Sequence, residues 1–266
     1  MTFHRCNISL TKNIWKSLPE FASLIEKPDK VLSLERINMN DFELEKLEKN
    51  YLNFILLSLK QEYRSIIKKL NNVNVNKKAV DLFFYYFFKP IFKYPISPLP
   101  NIRLSFELPD AFIHIEIKTA LIDNPADYKG KINITINQTS YGIKGLFTPN
   151  LPQYYNPKGD IKKVCLTYII QIIHEHAKPN VKALKLVCIP NGQLYSHYGK
   201  NIFESGKGGY AKGKDFRCSY STEPYFKLLT ERYKEKIFRV ELIYLTKDLK
   251  PRDITNLSDV PIHFQF

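Results

Sequence analysis

The chain has 266 residues, is 44% hydrophobic and 14% aromatic, and carries a formal net charge of +14. That is enough for one large domain or two small ones with a sizeable core, so a folded globular protein is expected. The densest apolar run, Leu82 to Phe88, is far short of the roughly 18 residues a membrane span needs, and no CxxC pair occurs, which excludes zinc-ribbon and thioredoxin-like designs.

In chain order, residues 1–38 are irregular apart from a short helix predicted near Leu10 to Ile25. The N-terminal stretch lacks the apolar core of a signal peptide, so a cytoplasmic location is expected. A long helix is predicted over 41–70. Asn40 is its cap and Glu43 the return partner of a capping box. Leu44, Leu47, Tyr51, Ile55, Leu59, Tyr63, Ile66 and Leu70 then form one apolar face at helical spacing. A second, buried helix is predicted over 77–88. Pro90, Pro95, Pro98 and Pro100 rule out helix in the stretch that follows.

The strand-rich part begins after those prolines. "IRLSFEL" alternates, and "AFIHIEIKTAL" alternates strongly. Residues 122–160 hold one short strand pattern, "KINITIN", and otherwise read as a long connection. "KKVCLTYIIQIIHEH" and "VKALKLVCIP" form an antiparallel hairpin around "AKPN", with Cys165 and Cys188 as buried thiols. Residues 196–220 read as a glycine- and lysine-rich loop. A helix capped by Ser221 or Thr222 runs to about Lys236, and "FRVELIYLT" supplies another strand. The expected fold is one α+β domain, a mixed central β-sheet flanked by helices. Its mainly helical part is 1–95 and its strand-rich part 101–266.

The chemistry concentrates in "PDAFIHIEIKT". Glu116 and Lys118 are two apart on a strand, so both side chains share a face. Asp110 has the same parity, although Pro109 before it suggests a bend. Two carboxylates meeting on one face can bind a hard divalent cation, and the main-chain carbonyl of Ile117 offers a further oxygen. Such a cation neutralises a scissile phosphate and acidifies a water, and a neighbouring lysine orients that water. Glu107 and Asp123 are the alternative second acids. A solvated strand face with a simple Glu–Lys pair is the bland explanation of Glu116 and Lys118.

The arrangement Pro109-Asp110, five residues, Glu116-Ile117-Lys118 resembles the PD-(D/E)xK nucleases, and among them the type II restriction endonucleases. Its short gap is similar to that of the mismatch-repair nicking group. The resemblance implies Asp110 and Glu116 as Mg²⁺ ligands and Lys118 as the third catalytic residue. It further implies cleavage of double-stranded DNA at a specific site, a homodimer for a palindromic target, and a separate cognate DNA methyltransferase.

The basic charge fits a polyanionic partner. Abundant Lys, Ile and Asn from an AT-rich coding sequence would produce the same excess without one. Lys129, Lys131, Asn137, Gln138, Ser140 and Tyr141 after the suspect strand are candidate DNA contacts. So are His197, Lys200, Lys207, Lys212, Lys214 and Arg217 in the second loop. His174 and His176 lack a matched third zinc ligand and read as a surface cluster at a hairpin end. "GKGGYAKGK" is no phosphate loop, because GxxxxGK[ST] is absent. The competing functions are a nicking or repair nuclease and a non-catalytic basic nucleic-acid-binding protein.

Overall fold

A computed structural model describes residues 39–88, 105–135, 141–155, 163–176, 180–190, 203–205, 215–221 and 239–265, some positions inside these ranges excepted. The helices expected over 10–25 and 222–236 lie outside them.

Helix α1 (Asp41–Leu70) starts where the sequence places it. The Glu43 amide donates to Asn40 Oδ1 (3.0 Å) and the Asn40 amide to Glu43 Oε2 (3.1 Å), closing the capping box. Its predicted stripe is buried from Tyr51 to Leu70 and is wider than the periodicity implies, since Leu52, Phe54 and Leu56 are buried too. At its far end Asn71 Oδ1 accepts from the Val181 amide (2.9 Å) and so joins the helix to the sheet. The predicted second helix ends in π-helical Phe83–Phe88, where Phe83, Phe87 and Phe88 stack among themselves in the core.

The central sheet contains β1 (Ser105–Glu107), β2 (Ala111–Leu121), β6 (Tyr154–Tyr155), β7 (Lys163–His174), β8 (Val181–Ile189), β11 (Val240–Leu245) and β12 (Ile262–Gln265). Its order is β1-β2-β7-β8-β11-β12, with β6 beside the start of β7. The β2–β7 and β11–β12 pairs are parallel and the others antiparallel, so the sheet is mixed, as expected. β7 and β8 form the predicted hairpin. Both are buried along nearly their whole length, which explains their almost unbroken apolar sequences.

Two apolar layers sandwich this sheet. Ile113, Ile115 and Ile117 of β2, with Leu166, Tyr168 and Ile170 of β7, pack under α1. The opposite face carries Ala120, Ile169, Ile173, Ala183 and Val187. It packs on Tyr128, Ile132, Cys218 and Tyr220, and on Ile254 of α2 (Pro251–Thr255). Each fully buried large apolar side chain contributes about 1.5–3 kcal/mol.

The second layer includes a three-stranded sheet of β3 (Lys131–Thr135), β10 (Asp215–Ser219) and β9 (Phe203–Ser205), in the order β3-β10-β9. Here the structure corrects the reading of 196–220 as a loop. Strands of three and five residues carry too little alternation to show, and β3, 80 or more positions upstream, pairs with one edge of β10. The connection over 122–160 likewise holds β4 (Tyr141–Ile143) and β5 (Leu146–Asn150) besides β3 and β6. α2 and β12 have no counterpart in the predicted elements. No helix among the described residues is long and apolar enough to cross a membrane.

Candidate active site

Strand β2 alternates between the two layers. Its odd residues face α1, while Phe112, His114, Glu116, Lys118 and Ala120 line the other face. Glu116 and Lys118 are brought together as expected. Lys118 Nζ lies 2.5 Å from Glu116 Oε1, with side chains only 12% and 10% exposed. The pair is not the solvated strand face of the bland explanation. Across β7 and β8, Glu116 is in line with Ile169 and Val187. A desolvated ion pair beside apolar neighbours costs stability that a hydrophobic pair would not, which points to a role other than packing.

Two residues before Glu116, His114 is 2% exposed and neither ring nitrogen has a hydrogen-bond partner. Its ring meets Phe112 edge-on at 4.8 Å. Burial lowers its pKa to about 4, so the imidazole is neutral at neutral pH.

Asp110 is not brought to this group. Parity places residues on one face only while a strand continues, and the chain turns between β1 and β2, with the Leu108 amide donating to the Ala111 carbonyl. The Asp110 carboxylate therefore meets α1, where Tyr51 donates its hydroxyl to Oδ1 at 2.5 Å. Burial, and then the Asp110 charge, hold the Tyr51 pKa well above its ordinary value. Six residues of extended chain separate Asp110 from Glu116, roughly 20 Å at about 3.3 Å per residue. The alternative acids also lie apart from it: the Glu107 backbone is in register with Phe112, four residues back along β2, and Asp123 is exposed beyond the end of β2. Among the described residues no three His, Cys, Asp or Glu side chains gather into a metal-binding group. Among the described residues, the potential donor atoms nearest this pair along β2 are the Glu116 carboxylate, the Ile117 carbonyl and the imidazole of His114. His174 is buried, not at the surface, and its Nδ1 lies 2.8 Å from the Glu175 carbonyl oxygen.

Beside Lys118 the sheet holds a second polar row that the sequence reading missed. Lys118, Gln171 and Lys185 stand in register on β2, β7 and β8. The turn over 122–130 docks on them. Gln171 Nε2 donates to the Asp127 carbonyl (2.9 Å), and Lys185 Nζ donates to the Tyr128 carbonyl (2.9 Å) and to Tyr220 Oη (2.7 Å). Burial drives the Lys185 pKa well below its usual value. Asp127 Oδ1 accepts from Arg217 Nε (3.0 Å) and Nη2 (2.7 Å) of β10, and Oδ2 accepts from Asn124 (2.6 Å). Gly130 closes the turn at φ +67°, where a Cβ would lie 2.1 Å from Ser221 Oγ. Their sequence signal was a glutamine and a lysine inside otherwise apolar strands, which demand buried partners.

Of the candidate DNA contacts, Lys129 is exposed and Lys131 half-buried. Arg217 is committed to Asp127. Tyr141 lies in β4, and Asn137, Gln138, Ser140, His197, Lys200, Lys207, Lys212 and Lys214 lie outside the described residues.

Two protein families match consecutive stretches that together span more than half of the chain. Residues 76–178 match the N-terminal domain of the type II restriction enzyme MwoI, and residues 181–245 its central domain. The chain belongs to the type II restriction endonucleases. As a restriction endonuclease it is a site-specific, DNA-binding deoxyribonuclease of a restriction-modification system. Enzymes of this class generally use a divalent metal ion.

Two solved structures are also similar. One is the restriction endonuclease BglI bound to its DNA recognition sequence, at 15% identity and a TM-score of 0.47, covering 80% of this chain and 94% of that one. The other is the tetrameric restriction endonuclease SfiI bound to cognate DNA, at 15% identity and a TM-score of 0.46, covering 69% and 80%. No curated protein matches. The endonuclease therefore carries the Glu-x-Lys half of the expected motif on one buried strand face, with the Asp half turned to the helical layer.

Proposed function

We propose that Glu116 and Lys118 form the hydrolytic centre of this endonuclease, that it works with Mg²⁺, and that it cuts both strands of duplex DNA as a homodimer. The observation that carries this reading is the desolvated Glu116–Lys118 pair on the face of β2 away from α1. A buried charge pair set among apolar neighbours is a functional-site candidate on physical grounds. Glu116 and the Ile117 carbonyl fit a hard cation as oxygen donors. Asp110, bound to Tyr51, is left out of that donor set.

When bound, the cation supplies charge neutralisation at the scissile phosphate and a more acidic water. The protein's own part is positional. Glu116 accepts hydrogen bonds from the attacking water or its metal shell. Lys118 Nζ stands beside it as a fixed donor toward the developing negative oxygen. Water attacks phosphorus in line and gives up a proton to solvent, the bond to the leaving ribose oxygen breaks, and that oxygen takes a proton from solvent. Lys129, at the end of the turn over 122–130, and Lys131, just after it, fit backbone phosphates. A separate cognate methyltransferase would protect host DNA.

The test is incubation of the purified chain with long, sequence-diverse unmethylated duplex DNA, with Mg²⁺, with EDTA, and as Lys118→Ala. Discrete linear fragments seen only with metal and lost in Lys118→Ala are expected. Nicked circles without linear product would instead indicate a nickase. Full cleavage by Lys118→Ala would refute the assignment.

A further inference from the structure

Resting on the reading of Glu116 as a metal-binding carboxylate, we propose that His114 is a nitrogen ligand to the same divalent cation. His114-Ile115-Glu116 is then a chelate that binds Mn²⁺ more tightly than Mg²⁺.

Three observations converge. First, both ring nitrogens of His114 are buried and have no hydrogen-bond partner. Buried polar atoms are nearly always satisfied, and an orphan calls for a water or an ion. The contact with Phe112 explains why a ring fits there, but a leucine would fill that place without burying two bare nitrogens.

Second, the strand geometry is that of a chelate. Side chains at i and i+2 on this face touch on both sides of the gap: Phe112 meets His114, and Glu116 meets Lys118. His114 and Glu116 are the intervening pair, with Cα atoms about 6.6 Å apart at about 3.3 Å per residue. One ion can bridge donors at that spacing, with metal–ligand bonds of about 2.1 Å on each side.

Third, among the described residues the donor set needs another member, because Asp110 faces α1, Asp123 is exposed beyond the end of β2, and the Glu107 backbone is in register with Phe112, about 13 Å along the strand from Glu116 at about 3.3 Å per residue. Replacing a carboxylate by an imidazole has a defined chemical consequence. Nitrogen donors favour the first-row transition metals, whereas Mg²⁺ favours oxygen and retained water.

The experiment is Mn²⁺ titration of the full chain without DNA, followed by calorimetry and by pulsed EPR of the bound ion. The wild type should show imidazole ¹⁴N modulation, which becomes a ¹⁵N signature after histidine-specific labelling. His114→Leu should lose that signature and bind Mn²⁺ on the order of tenfold more weakly, with a smaller loss for Mg²⁺. Should the leucine variant fail to fold, His114→Gln removes the imidazole while keeping a polar group.

Mn²⁺ bound by the wild type with no histidine coupling, or with coupling that survives in the variant, overturns the proposal. Glu116→Gln separates the two claims. If it still cuts DNA, the hydrolytic centre is misassigned. If it is inactive while wild-type Mn²⁺ lacks histidine coupling, only the His114 ligand is refuted.

Discussion

Arg239→Met should destabilise the fold more than most single substitutions outside the active site. Arg239 is wholly buried between α1 and the start of β11. Nη2 lies 2.6 Å from Glu48 Oε2 and 3.5 Å from Glu45 Oε1, and both acids are as buried as the arginine. Its own carbonyl accepts from the Cys188 amide, and Tyr168 donates to the Glu48 carbonyl, so the cluster joins the helix to two strands. Removing one member of a buried ion pair costs about 3–5 kcal/mol, because the remaining charge is stranded. Two carboxylates lose their shared cation here, so the upper part of that range applies. Against a total stability of about 5–15 kcal/mol this is a large fraction. At about 2–4 °C per kcal/mol for a chain of this size, the melting temperature should fall by roughly 10 °C or more. Thermal unfolding followed by circular dichroism measures it. The triple variant Arg239→Met, Glu45→Leu, Glu48→Gln should recover most of the loss, since apolar replacement of a whole buried cluster is often neutral. A single variant that melts within about 2 °C of wild type would refute the reasoning.

Three further outcomes follow from the same geometry. Tyr51→Phe removes the donor to Asp110 and should cost about 1.5–3 kcal/mol in chemical denaturation while leaving divalent-metal affinity unchanged; a fall in metal affinity would return Asp110 to the site. Asp127→Asn should lower the cleavage rate at saturating DNA more than it weakens binding, and Asp127→Glu should restore part of the rate; equal losses in binding and rate would show a contact role only. Gly130→Ala should destabilise by more than about 1 kcal/mol, as its φ of +67° and the nearby Ser221 hydroxyl both oppose a Cβ; an unchanged denaturation midpoint would contradict that.

What was legible in the sequence was local. α1 announced itself through a capping box and a helical stripe, and β2 through alternation, so the Glu116–Lys118 pair followed from parity alone. Parity also misled. It carried Asp110 to the same face through a turn, where the period of two no longer applies, and only Tyr51, 59 positions away, reveals where that carboxylate goes. The polar row failed to show for a related reason. Gln171 and Lys185 find their partners 44 and 57 positions away, and nothing in an apolar run predicts which turn will cover it. The parallel pairing of β2 with β7 was equally hidden, because alternation records that a strand has a face but not which strand lies beside it.

The same long-range contacts connect the proposed centre to the rest of the fold. β2 carries Glu116 and Lys118 and leads directly into the turn whose Asp127 holds Arg217 of β10. That turn is also bonded to Gln171, next to Lys118 in register. A shift of the three-stranded sheet therefore has a short route to the lysine, hydrogen-bonded as far as Gln171. The route runs from Arg217 to the Asp127 carboxylate, from the Asp127 carbonyl to Gln171, and across one strand spacing of about 4.8 Å to Lys118. Packed interiors pass on such shifts because they have little free volume to absorb them. A site-specific nuclease must keep its hydrolytic groups responsive to the DNA it has bound. If Glu116 and Lys118 are the hydrolytic pair proposed above, a strand that continues into the clasp of a second sheet provides that link with few intermediate parts, and Asp127 is the residue through which it would pass.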